Sequence, residues 1–107
     1  MTEQDLRRYE ARASIFKALA HPTRLYILEQ LREEEQCVSE LTELVGADAS
    51  TVSKHLSILK SAGLVQSRKH GTTVYYDLAC GCLNQFMDGA ETLLRMKAEN
   101  DAAVLQE

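Results

Sequence analysis

Three cysteines are the residues of this 107-residue chain best suited to chemistry, and two of them lie two positions apart, in Cys80-Gly81-Cys82. A glycine between two thiols lets the backbone bend until both sulfurs can reach one ion. With Cys37 as a third ligand, the set suits trigonal As(III) or Sb(III), or another soft ion such as Cd(II) or Pb(II), because thiolates prefer soft acceptors. The same sulfurs would also serve a sensor of redox state or of reactive sulfur species. Strain inside Cys80-Gly81-Cys82 would then favour a bridge from Cys37 to one of the pair. A third role is packing alone, with Cys37 as a small core residue and the other two filling a tight junction. No glycine-rich phosphate loop, paired buried carboxylates or Cys/His arrangement with an orienting partner stands out, so neither an enzyme nor an organic cofactor is expected.

A second chemistry is written in charge. The chain holds 12 Lys+Arg and 16 Asp+Glu, yet between Ala49 and Tyr76 there is no carboxylate, while Lys54, Lys60, Arg68, Lys69, His55 and His70 all fall there. An acidic protein of net charge −4 thus carries one basic region able to attract phosphate. Ser50, Ser53, Lys54, Ser57 and Ser61 share one face of a helix in this region, with Lys60 at its flank. A solvated helix face usually mixes Glu with Lys. Small hydroxyls and lysines instead allow close approach to a groove edge, with donors for phosphates and bases.

The elements that must position these groups follow from periodicity. Gln4 to Ala20 reads as a helix, with Ile15, Phe16 and Leu19 apolar near its end, and Pro22 opens a second helix to about Glu33 carrying Leu25, Ile27, Leu28 and Leu31 inward. The charged stretch Arg32 to Gln36 ends it. A short third helix, Val38 to Val45, turns Leu41, Leu44 and Val45 inward and stops at Gly46. Asp48 caps a fourth, Ala49 to Ala62, whose inner face is Val52, Leu56 and Leu59. Leu64 to Lys69 and Thr73 to Leu78 form a hairpin through His70-Gly71-Thr72, with Arg68, Lys69 and His70 at its basic tip. From Leu83 a last helix shows Leu83, Phe86, Met87, Ala90, Leu93 and Leu94 at helical spacing. The fold class is mainly α with a small β-hairpin, in the order α-α-α-α-β-β-α.

With one proline, five glycines and no biased tract, residues 1–107 read as one domain with one modest core. That core has little room for the last helix's stripe, which predicts burial in a second copy. No apolar run approaches the length needed to span a bilayer, and the charged Thr2 to Arg12 is not a signal peptide. A cytoplasmic location and reduced thiols are the expectation.

The string Leu19-Ala20-His21-Pro22-Thr23-Arg24-Leu25, followed by Ile27-Leu28, Val52-Ser53-Lys54-His55-Leu56 and Gly63-Leu64-Val65, resembles the ArsR/SmtB family of bacterial winged-helix repressors over nearly the whole chain. The resemblance implies a winged helix-turn-helix, a homodimer on palindromic double-stranded operator DNA, the fourth helix in the major groove, a hairpin wing on the backbone, and release by an effector. Ser53 and His55 match the family's Ser-x-His-Leu; His55 also lies near the apolar face, leaving packing and phosphate contact both open. Ala49 stands where many members have a longer polar residue, shifting base readout to Ser50 and Thr51. His21 is expected to serve structure at the helix start. Gln36-Cys37-Val38-Ser39-Glu40-Leu41 is similar to the Cys-Val-Cys-Asp-Leu box of arsenic-responsive members, with Ser39 in place of the second cysteine. The last helix lacks the paired histidines of zinc sensors, and Asp88 and Glu91 alone do not make a zinc or nickel site.

Overall fold

The computed structural model describes residues 1–106, which form five helices and one small sheet. Helix α1 (Glu3–Leu19) starts at a capping box: the Thr2 hydroxyl accepts from the Asp5 N–H, and the Asp5 carboxylate accepts from the Thr2 N–H. Helix α2 (Pro22–Glu33) has proline in its first turn and His21 as its cap, Nδ1 accepting from the Thr23 N–H at 3.1 Å. This is the structural role expected of His21. Between α2 and the next helix lies a two-residue strand, β1 (Gln36–Cys37). Helix α3 (Val38–Val45) ends at Gly46, whose φ of 76° is the left-handed conformation glycine adopts without strain. Helix α4 (Ala49–Ser61) is capped by Asp48, whose carboxylate accepts from the Thr51 N–H at 2.8 Å. Strands β2 (Val65–His70) and β3 (Thr73–Leu78) then lead to α5 (Leu83–Leu105).

The sheet is antiparallel in the order β1-β3-β2, with Gln36 opposite Tyr76 and Cys37 opposite Tyr75. The expected element order therefore lacked one strand. Two residues carry no readable period, yet they supply hydrogen bonds to the free edge of β3, and a third strand steadies a hairpin that is marginal alone. The hairpin pairs Val65 with Leu78 through His70 with Thr73, leaving Gly71 and Thr72 as the turn.

Ile27, Leu28, Leu41, Val52, Leu56 and Leu59 are fully buried and tie α2, α3 and α4 into one core, closed by Leu64, Val65 and Leu83. Leu44 differs from expectation. It is exposed, because α3 is only two turns long and presents Leu41 and Val45, one turn apart, to the core. Leu25 and Phe16 are exposed too, on a side the single chain does not cover.

Candidate nucleic-acid interface and thiol site

Three fully buried side chains on one side of α4 fix the orientation of the other. Ser50, Thr51, Ser53, Lys54, Ser57 and Lys60 are exposed there. Ser50, Ser53, Lys54, Ser57 and Ile58 line an open hollow of about 520 Å³ with no carboxylate in its wall. Lys60 is less free than its position suggests, since its Nζ donates to the Ser67 hydroxyl at 2.7 Å and so braces α4 against β2. His55 turns inward. It is half-buried, its ring centroid 4.5 Å from that of His21 and its Nδ1 3.4 Å from an Arg24 guanidinium nitrogen. Burial, and then the neighbouring His21 and Arg24, hold its pKa below the ordinary imidazole value. Of the two roles left open for His55, this placement corresponds to packing.

The wing presents Arg68, Lys69 and His70, all exposed, behind a turn in which Gly71 takes a φ of 67°, the positive value a two-residue hairpin loop demands. Arg68, read as a backbone contact of the wing, already has a partner: Nε donates to the Glu35 carboxylate at 3.0 Å and a terminal nitrogen at 2.7 Å. Glu35 precedes β1, and the pairing of β1 with β3 brings it within reach of Arg68. The basic region is free of acid along the chain but not in space. Tyr75 and Tyr76 are both half-buried, and Tyr76 packs against the core.

The cysteines divide differently from expectation. Cys80 and Cys82 are exposed and joined to each other as a disulfide, the Cys82 N–H also donating to Cys80 Sγ, while Cys37 is a half-buried free thiol. The bridge expected to involve Cys37 is thus absent from the structure, because Cys37 lies opposite Tyr75 and the chain runs on for five residues before Cys80. At roughly 3.3 Å of rise per strand residue, that is on the order of 15 Å. Among the described residues no group of three or more His, Cys, Asp or Glu side chains is gathered for a metal ion. Within one subunit the three thiols are thus not gathered, and their spacing in the sequence had left open whether they meet there or across a dimer.

Residues 21–67 match the bacterial regulatory protein, arsR family. The chain is 35% identical over 100 residues to the HTH-type transcriptional regulator Rv0081 of Mycobacterium tuberculosis, covering 92% of this chain and 88% of that protein. This chain belongs to the ArsR family. The crystal structure of Rv0081 superposes with a TM-score of 0.81 at 34% identity, over 88% of this chain and 95% of that one. A homodimeric winged helix-turn-helix DNA-binding domain from Mycobacterium bovis, a possible ArsR-family regulator solved in solution, gives 0.83 at 29% identity, covering 94% and 93%. The transcriptional repressor BigR from Xylella fastidiosa gives 0.72 at 31% identity, covering 87% and 96%.

Membership in the ArsR family makes the chain a DNA-binding transcriptional regulator with a winged helix-turn-helix fold, and it gives α4 and the wing their place in that fold. No helix among the described residues is long and apolar enough to cross a membrane. Two features of this ArsR-family chain lay beyond its sequence pattern. Arg32 donates to both oxygens of Asp88, at 2.7 and 2.8 Å, tying α2 to α5 and holding the Asp88 carboxyl below the usual range. The second is the Glu35 pair with Arg68. Their partners are 56 and 33 positions apart, and only the three-dimensional fold joins them.

Proposed function

We propose that the chain is a transcriptional repressor that binds a palindromic operator as a homodimer and leaves it when an effector acts on its thiols. The observation that carries this reading is α4: one face is locked into the core, and the other is a carboxylate-free surface of serines and lysine open to solvent. In that role Ser50, Thr51, Ser53, Lys54 and Ser57 face the major groove and Lys69 and His70 the backbone, while Lys60 and Arg68 come into play as their present partners yield. Dimerisation is supported by the apolar faces of α1 and α5. Tyr9, Phe16, Phe86, Leu93 and Leu94 are exposed, and the Phe16 and Phe86 rings meet edge-on at 5.6 Å.

As(III), Sb(III) or another soft ion would be held by Cys37 of one subunit with the Cys80 and Cys82 pair of the other, once that pair is reduced. A second reading, a redox or reactive-sulfur switch, is favoured by the bond between Cys80 and Cys82. There two thiolates give two electrons to an oxidant and become a disulfide.

Operator binding by gel shift, with reduced protein, separates these. Lys54→Ala should cost about 1 to 3 kcal/mol of operator affinity. Arsenite should release the wild type but not Cys37→Ser if the soft-ion reading holds. Release by a mild oxidant that survives Cys37→Ser and vanishes in Cys80→Ser supports the redox reading. If wild-type protein shows no preference for its own upstream DNA, the repressor reading fails.

A further inference from the structure

A second hollow, of about 500 Å³, lies where α1 and the start of α2 meet the later half of α4. Its wall contains Lys17, Arg24, Ser14, Ser57 and Ser61, and no carboxylate. Lys17 is exposed and makes no ion pair among the described residues. Arg24 is held in place, its Nε donating to the Ala18 carbonyl at 2.6 Å, so its charge is fixed at the rim at little further cost in entropy. This hollow shares Ser57 and Ile58 with the one over Ser50, Ser53 and Lys54, so the two form a single trough along α4.

We propose that the outer half of this trough seats a DNA backbone phosphate beside the half-site, with Lys17 as its cation and Ser57 and Ser61 as hydroxyl donors. The inference rests on the DNA-reading role of α4 and adds α1 to the footprint. Its physical basis is continuity. A helix lying in the major groove has a phosphate strand passing each side of it. The positive charges that line the trough beside α4 are those of Lys17 and Arg24. Apart from Ile58 the wall beside the cations is serine and alanine, small enough for the strand to approach closely, and two cations with no carboxylate in the wall are what a polyanion selects.

The test compares full-length wild type, Lys17→Gln and Ser61→Glu on operator duplex across a salt series, with Lys97→Gln, on the distant part of α5, as control. Lys17→Gln should weaken binding several-fold and lower the slope of log affinity against log salt by about 0.9, the value for one phosphate. Ser61→Glu, which puts an anion in the trough, should weaken it more, and Lys97→Gln should match wild type. Methylphosphonate linkages walked outward from each half-site should reveal one position at which wild type and Lys17→Gln bind alike. A Lys17→Gln slope equal to wild type overturns the proposal, as does a defect unaffected by every neutral linkage, which would mean long-range charge alone. If Lys54→Ala loses operator affinity while Lys17→Gln and Ser61→Glu do not, the trough proposal fails and the groove-reading role stands. If wild type does not bind operator, both fall.

Discussion

His55 shows how one polar side chain of α4 can be turned to the inner side of its helix. Its ring fills the seam between α4 and the start of α2, against His21 and beside Arg24, and among the described residues no carboxylate is paired with it. Burial and the two neighbours favour its neutral form, so folding lowers its pKa. Native protein then binds fewer protons at this site than unfolded chain, and stability falls as pH drops through the ordinary imidazole value of about 6.5 toward the lower folded one. Thermal unfolding between pH 8 and pH 5 should show this loss in wild type and a flatter profile in His55→Gln. Parallel profiles would assign the acid sensitivity elsewhere. His21 belongs to the same arrangement, its Nδ1 accepting the α2 cap hydrogen bond from the Thr23 N–H.

Among the elements, the wing is the one whose charge state the fold sets. Glu35 occupies Arg68, so in free protein the tip offers Lys69 and His70 alone. Replacing Glu35 with Gln should release Arg68 and raise affinity for random and operator DNA alike. The salt slope should steepen by about 0.9, measurable by fluorescence anisotropy; unchanged slopes would mean that DNA already displaces Glu35 in wild type. This pair also marks where the sequence stopped being informative. The faces of α4 were legible because a 3.6-residue period is local, and Val52, Leu56 and Leu59 needed no partner beyond their own helix to reveal it. Strand β1 was not, because two residues have no period and their pairing is decided by β3, nearly forty positions on. Glu35 followed β1 into the basic region, and Cys37 was carried away from Cys80 by the same register. The inward reading of Leu44 failed because an eight-residue helix offers the core only one turn.

For the whole molecule, the proposed dimer rests on the apolar surface of α1 and α5. Leu93 and Leu94 are 67% and 64% exposed, on a helix that runs 23 residues, about 35 Å, with little of it against its own core. Leu94→Glu would bury a charge in the dimer seam and should give a monomer by sedimentation, with operator affinity falling steeply because two half-sites are no longer gripped together. A wild-type monomer at micromolar concentration would contradict the assembly. The uneven charge has a consequence in the dimer as well. Outside the segment from Ser50 to Tyr75 the chain carries 8 basic and 16 acidic residues, so α4 and the wing hold a local excess of positive charge in an acidic chain, with Glu35 set against Arg68. In the proposed homodimer, two-fold symmetry would cancel the transverse components of this charge asymmetry and add those along the axis, the direction that meets the dyad of a palindrome. In the proposed complex that excess would turn the protein to face DNA before contact, a torque that fades beyond the Debye length and weakens as salt rises.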